Sequence, residues 1–353
     1  VEGHVVARLI AFLAGTVVAL ALVPGPAAAD DALSVIAGAN QTAFFEVLNN
    51  VAQLAGFYKE QHLNVTTQYA GSPNIAAQLL ASGKGDIGGM SIEPIILGYE
   101  KGIRLTAFFT RDPSYDYVLG VLADGPVKSL SDLKGASLGE FSVGSPAEIS
   151  TNAMLEGAGL KKSDVTYIPI GSGAQAISAL TSGKVAGAAD PFPELASYEV
   201  IAGLKFRYFF NPLLRDVGNT AYVATPATIA SKGDLLQRFA RANAMAAVLV
   251  RENPRLAARD FLQGAGVKIT AKSLDDETRL LELDRDQLPG TDPESKRIGL
   301  LPALGIQLYI RFLAGAGLIA QVPPTSAIAT DQFIAYANDF DHNALIARVK
   351  QMR

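Results

Sequence analysis

Apolar positions along this chain follow two periods that alternate from segment to segment. Residues 33–37 form a short continuous apolar run, of the kind buried on both faces of a sheet, and the polar turn Gly38-Ala39-Asn40-Gln41-Thr42 follows it. Residues 43–61 place apolar side chains at helical spacing, and Ala55-Gly56-Phe57 supplies the glycine that closes a helix. Strand-like runs at 64–70, 86–90 and 104–109 are separated by helical stretches at 74–81 and 93–100, the alternation of a mainly parallel sheet. An apolar strand at 117–123 leads into Asp124-Gly125-Pro126, a turn that reads as the exit from this first unit. A second unit runs through 137–141, 154–160, 165–170, 174–182, 185–189 and 206–210. The chain returns at 219–224, where Thr225-Pro226 suits the first turn of a new helix. Helical stretches around 235–251, 254–262, 273–288 and 295–316 are too long for a tail and are expected to pack back on the first unit, making it discontinuous.

The two units are related. Val65, Thr66, Gly71, Ser72, Ala76, Leu80, Ser82, Gly83 and Lys84 recur one hundred residues later as Val165, Thr166, Gly171, Ser172, Ala176, Leu180, Ser182, Gly183 and Lys184, nine identities in twenty positions. Chance would give about one or two. Each copy reads as a strand, a Gly-Ser turn and a helix, so each sets a polar turn and a helix N-terminus beyond a strand's carboxyl end. With only two copies a solenoid is excluded, and two lobes facing across a cleft are expected.

The N-terminal stretch stands apart. Arg8, the apolar run 9–22, Pro24, Pro26 and Ala27-Ala28-Ala29 before Asp30-Asp31 form the three-part layout of a secretory signal, with cleavage expected after Ala29. Read as a membrane anchor, the run falls short of the roughly 20 residues a bilayer crossing needs, and prolines follow it at once. The chain has no cysteine, so core burial alone must hold it, and no lipid-modified cysteine can tether it. An exported protein of the periplasm, free of the membrane, fits these features. The net charge of −4 survives removal of the signal, because Glu2 and Arg8 cancel, and with no Lys/Arg-rich run a nucleic-acid partner is not expected.

Five motifs in order carry a family resemblance over nearly all of the chain beyond the signal. They are Ala55-Gly56-Phe57-Tyr58-Lys59-Glu60 with Leu63-Asn64-Val65; Ser82-Gly83-Lys84-Gly85-Asp86-Ile87; Lys128-Ser129-Leu130-Ser131-Asp132-Leu133-Lys134-Gly135; Ala158-Gly159-Leu160 with Asp164-Val165; and Gly317-Leu318-Ile319. The chain resembles the periplasmic solute-binding proteins of ABC importers, in the nitrate, sulfonate, taurine and thiamine-pyrimidine-precursor binding family. The resemblance implies an α/β, two-lobed periplasmic-binding-protein fold of type II, each lobe a mainly parallel sheet flanked by helices, with two crossover hinge segments. The expected division is a signal at 1–29, a first lobe of 30–120 plus 221–353, and a second lobe of 121–220, hinged at 117–124 and 219–225. Two departures stand out. The chain has no tryptophan, so an aromatic wall must come from Phe44, Tyr115, Phe192 or Tyr222, and it lacks the cysteine cluster of eukaryotic thiamine-pyrimidine synthases with this fold.

Turns at strand carboxyl ends offer free backbone N–H groups and helix dipoles, and so mark the candidate ligand contacts. In the first lobe these are Asn40, Gln41 and Thr42, Ser72 and Asn74, Ser91 and Glu93, and Arg111 with Tyr115; in the second they are Ser142 to Ser145, Ser172, and Asp190 with Phe192. The resemblance implies the same turns. Each has a plainer rival role: Ser72 and Asn74 can cap a helix, Ser142-Val143-Gly144-Ser145-Pro146 can be turn chemistry, and Arg111 can sit in a surface ion pair. Asp190-Pro191-Phe192-Pro193-Glu194 is either a rigid turn or an amine clamp, a carboxylate beside a ring.

Catalytic constellations are missing from the sequence. His4 leaves with the signal, His62 and His342 are isolated, and no Walker A motif or dinucleotide fingerprint is present, so no catalytic residue, metal or cofactor is assigned. The expected function is capture of a small solute by closure of the lobes and delivery to an ABC permease with a cytoplasmic ATPase, by a monomer whose cleft opens freely. A sulfonate-, nitrate- or carboxylate-like anion is favoured by the resemblance, with a pyrimidine-like nitrogen heterocycle or an amine as the alternative. A ligand carrier for a sensor receptor and an enzyme on the same fold remain the readings from other classes.

Overall fold

A computed structural model describes residues 29–39, 42, 44–111, 115–141, 145–214, 217–287 and 297–353. The expected signal, apart from Ala29, and the candidates Asn40, Gln41 and Ser142 lie outside the described residues. Ten strands are described: β1 (Asp31–Ala37), β2 (Leu63–Tyr69), β3 (Ile87–Ser91), β4 (Thr106–Thr110), β5 (Tyr117–Leu122), β6 (Ser137–Glu140), β7 (Thr166–Pro169), β8 (Gly187–Pro191), β9 (Phe206–Phe210) and β10 (Thr220–Ala224). They form two five-stranded sheets, ordered β2-β1-β3-β10-β4 and β7-β6-β8-β5-β9. These are the same permutation, with β2 and β7, the strands that carry the internal repeat, at matching edges.

In each sheet the fourth position runs against the others. β10 is antiparallel to β3 and β4, and β5 is antiparallel to β8 and β9, while β1 and β6 pair in parallel with their neighbours. Both antiparallel strands therefore begin where the parallel strands end, on the side that faces the other lobe.

Helices cover both faces of both sheets. In the first lobe α1 (Val47–Leu54), α2 (Phe57–Glu60), α3 (Pro73–Ala81) and α4 (Glu93–Leu97) follow strands. The second lobe has α5 (Pro146–Gly157), α6 (Ala174–Thr181) and α7 (Phe192–Ala202). After β10 the chain adds α8 (Pro226–Ser231), α9 (Gly233–Glu252), α10 (Pro254–Gly264), α11 (Ala271–Gln287), α12 (Ala303–Gly315), α13 (Thr325–Ile328), α14 (Ile334–Ala337) and α15 (His342–Gln351). Side chains alternate between the faces as the period of a strand demands: Leu33 and Val35 enter one core with Phe239 of α9, and Ile36 enters the other with Tyr309 of α12. In the second lobe Val118 faces Phe192 and Leu195, while Leu119 and Val121 face Leu155 of α5. Helix α11 joins the lobes. It packs between α10 and α7, placing Leu281 in the first lobe's core and Leu280 in the second's.

Local chemistry accounts for the breaks. Gly56, at φ 81°, ends α1 in the left-handed conformation that costs glycine little, so the expected 43–61 helix divides into α1 and the single turn α2. The expected 295–316 helix starts only at Ala303, after Pro302; upstream, Gly299 at φ 88° packs so closely on Phe109 that a Cβ would lie 2.2 Å from the ring. The division of the lobes also moves. All of β5 belongs to the second sheet, so the first crossover is 111–116, upstream of the expected exit at Asp124-Gly125-Pro126, which is a turn within the second lobe. All of β10, Thr220 included, belongs to the first sheet, so the second crossover is 211–219. An apolar strand satisfies the buried centre of either sheet, and the pattern at 117–123 carries no mark of which one it joins.

Candidate functional site

Between the lobes lies a cavity of about 150 Å³. The first lobe contributes Phe44, Pro73, Met90, Ser91, Arg111 and Thr220; Asp116 and Tyr117, at the end of the first crossover, and Pro191, Pro193 and Glu194, where β8 turns into α7, supply the rest. Ser91 and Thr220 are partners in the β3–β10 ladder, so the end of one strand and the start of its antiparallel neighbour together form one wall.

Arg111 is the centre of the site's charge. Its Nη1 donates to Asp284 Oδ2 at 3.0 Å, its Nη2 lies 3.8 Å from Asp116 Oδ2, and the guanidinium carbon sits 5.3 Å from the centre of the Phe44 ring. The side chains are 6% exposed for Arg111, 7% for Asp116 and 13% for Asp284, so this is a buried arrangement of one cation and two acids. Burial pushes both carboxyls up, and Arg111 pulls both back. Asn219 Nδ2 donates to Asp116 Oδ1 at 2.6 Å, tying the second crossover to the first.

Behind Ser91 lies a second polar layer. Tyr309 donates its hydroxyl to Glu93 Oε1 at 2.6 Å, and Tyr115, 3.5 Å from the Tyr309 hydroxyl, donates to the carbonyl of Pro146 at the start of α5. Burial raises the Glu93 carboxyl. In the second lobe Asp190, at the end of β8, is raised well above its ordinary range by burial and by Glu194. Glu140, at the end of β6, is pushed up to about 7 by burial and by Glu148, which takes an ion pair from Lys162 at 2.6 Å.

The expected contacts thus divide. Ser91 and Arg111 line the cavity, and Glu93 and Tyr115 stand directly behind it. Phe44, expected as a possible aromatic wall, lines it too. Ser72 and Ser145 cap α3 and α5, accepting from the amides of Ile75 and Glu148 at 3.3 Å. Asn74 and Ser172 are exposed, and Thr42 pairs with the Tyr69 hydroxyl. Phe192 departs from expectation. It packs against Tyr208 and Phe210 in the second lobe's core, so it forms no ring beside Asp190 in the cleft; Pro191, Pro193 and Glu194 turn there instead. Tyr222 likewise packs against Phe239 in the first lobe's core. Reasoning from the sequence missed Asp116, Tyr117, Glu194, Asn219, Thr220 and Asp284. An acid immediately before the apolar strand at 117–122 was the available signal for Asp116; for Asp284 it was the helical spacing from Leu280 and Leu281. Among the described residues no group of three or more His, Asp or Glu is placed to hold a metal ion.

Comparison with curated proteins gives no significant match. Solved structures share the fold. The periplasmic aliphatic sulphonate binding protein SsuA of Escherichia coli has a TM-score of 0.65 at 19% identity, over 84% of this chain and 91% of that one. The alkanesulfonate-binding protein SsuA of Xanthomonas axonopodis pv. citri, bound to MOPS, has a TM-score of 0.65 at 16% identity, over 86% of this chain and 99% of that one. The periplasmic nitrate-binding protein NrtA of Synechocystis has a TM-score of 0.64 at 13% identity, over 87% and 88%. The two-lobed architecture is therefore that of periplasmic binding proteins. A family profile described as NMT1/THI5 like matches residues 48–257, more than half of the chain, and the chain belongs to the NMT1/THI5-like family.

Proposed function

We propose that this protein is the periplasmic solute-binding component of an ABC import system, closing its lobes on a small organic solute and presenting the closed form to a permease driven by a cytoplasmic ATPase. The observation that carries this reading is the cavity between the lobes, whose polar side chains come from both of them and from the crossover that joins them. A ligand touching all three stabilises the closed arrangement over the open one by the difference in its contacts. Among the described residues that line the cavity there is no histidine, and the chain has no cysteine. Relatives of the same fold are named for sulfonates and nitrate, which makes such anions the first probes.

The test is a thermal-shift screen of the protein from Asp30 onward with sulfonates, nitrate, carboxylates, amino acids, amines and pyrimidines, followed by small-angle scattering of each hit. At a hundred times its dissociation constant a true solute adds about 2.7 kcal/mol of stability. One chemical class of hits that also lowers the radius of gyration is the expected result. Hits that leave the scattering profile unchanged would refute capture by closure.

A further inference from the structure

We propose that α11 is a strap that closes with the cleft: Leu280 and Leu283 dock on α7 in the closed form and part from it when the lobes open. The inference rests on the reading of a cleft that closes on a solute, and adds the element that fastens it.

A helix on the surface of one core presents one apolar stripe to it. α11 presents two. Leu274 and Leu281, seven residues apart on one face, pack in the first lobe's core with Phe261 of α10. Leu280 and Leu283, three apart on another face, pack in the second lobe's core with Leu195, Ala196 and Tyr198 of α7. Leu280 is 7% exposed and Leu281 2%, so neighbours in sequence are buried against different lobes. Apolar surface that one lobe buries against the other favours the arrangement in which the lobes meet over any in which they separate.

The chain path says which seam parts. The short connection 265–270 ties α11 to α10, and α11 also touches α9, so it travels with the first lobe; its contact with α7 is the one that an opening rotation breaks. The strap reaches the cavity as well. One turn beyond Leu280, Asp284 holds the cavity residue Arg111 at 3.0 Å. Phe44, also on the cavity wall, packs against both cores, with its ring 6.2 Å from that of Phe261. Docking of the strap and closure around the cavity are thus one movement, and in the solute-free protein open and closed forms coexist, with a solute completing the closure.

The experiment is small-angle scattering of the solute-free protein from Asp30 onward, as the parent, as Leu280→Ala/Leu283→Ala, and as Leu281→Ala, each with a melting curve. Truncating both leucines of the α7 seam shifts the ratio of open to closed form by about tenfold or more, and the radius of gyration rises. Leu281→Ala makes the same chemical change one residue away, but in the first lobe's core; it lowers the melting midpoint and leaves the radius of gyration unchanged. Leu283→Ala alone, at a half-buried position, gives a smaller expansion of the same sign and serves if the double variant does not fold. A seam variant that folds with the parent's radius of gyration overturns the strap, and so does an equal expansion by Leu281→Ala. No solute enters these measurements, so a solute screen without hits leaves the strap standing, and a seam variant that does not expand leaves any compaction by a solute standing.

Discussion

Removing the guanidinium of Arg111 tests the electrostatics of the site without any knowledge of the solute. Arg111→Met keeps most of the side chain's apolar length over Phe44 and leaves Asp116 and Asp284 facing each other with no cation between them. Breaking a buried ion pair from one side costs about 3–5 kcal/mol, because the partner is left charged in a poor solvent. At the lower end of the usual conversion, about 2 °C per kcal/mol for a chain of this length, the melting midpoint falls by about 6–10 °C at neutral pH. The pH dependence gives the result its specificity. Without Arg111 both acids keep the burial that raises them and lose the charge that lowers them. Their folded-state values then stand further above the unfolded value of about 3.9. Between those two values the folded state holds protons that the unfolded chain has released, so stability falls as pH rises through the interval. The deficit of the variant is therefore largest at about pH 7.5 and shrinks by about pH 5. Paired calorimetric melts of variant and parent at both pH values measure this. A variant that melts within about 2 °C of the parent at neutral pH, or whose deficit grows on acidification, refutes the account of one cation compensating two acids.

Three further outcomes follow from single contacts. Glu140, pushed up to about 7 by burial and by Glu148, is raised above an unfolded value of about 4.3, so it weakens the fold progressively as pH rises from about 4.3 to about 7; Glu140→Gln flattens that slope and raises the midpoint above neutrality, as melts across the range will show. Tyr309→Phe deletes the 2.6 Å bond to Glu93 and leaves a buried carboxyl oxygen without its donor, costing about 1–3 kcal/mol in denaturant titration. Gly299→Ala forces a Cβ to 2.2 Å from the Phe109 ring at φ 88°, and a loss of about 1–3 kcal/mol is expected; a loss below about 0.5 kcal/mol contradicts the packing described.

The fold was legible wherever a local signal forced the local structure. Periods of two and three to four residues placed the strands, the repeat at 65–84 and 165–184 announced the matching sheets, and Gly56 stopped its helix where the left-handed turn required it. What stayed hidden was decided by phase and by long-range pairing. At 190–194 the chain alternates Asp190, Phe192 and Glu194, and the turn from β8 into α7 settles which side chain enters the core; Phe192 does, and Glu194 faces the cleft. No pattern in those few residues distinguishes the two outcomes. Asp284 is further still from reach, because it meets Arg111 across 173 residues of chain through the packing of α11.

The topology ties the hinge to the binding wall. A crossover that leaves the end of a parallel strand must enter the other sheet, and in both lobes it enters as the antiparallel fourth strand, whose first residues lie at the cleft. Arg111 and Asp116 thus bound the first crossover, and Asn219 and Thr220 end the second, while Arg111, Asp116 and Thr220 are also cavity-lining residues. Asn219 bonds Asp116 directly, so the two crossovers are tied to each other beside the cavity. A rotation of one lobe against the other would have to pass through the two crossovers that these residues bound, and a ligand held by them would bias that rotation without a separate relay. The third link, Asp284 on the helix wedged between α10 and α7, adds the pull of Arg111 to the same point. On the proposed reading, binding and closure would act through this one small set of side chains, which presents one cation, Arg111, between two acids, Asp116 and Asp284.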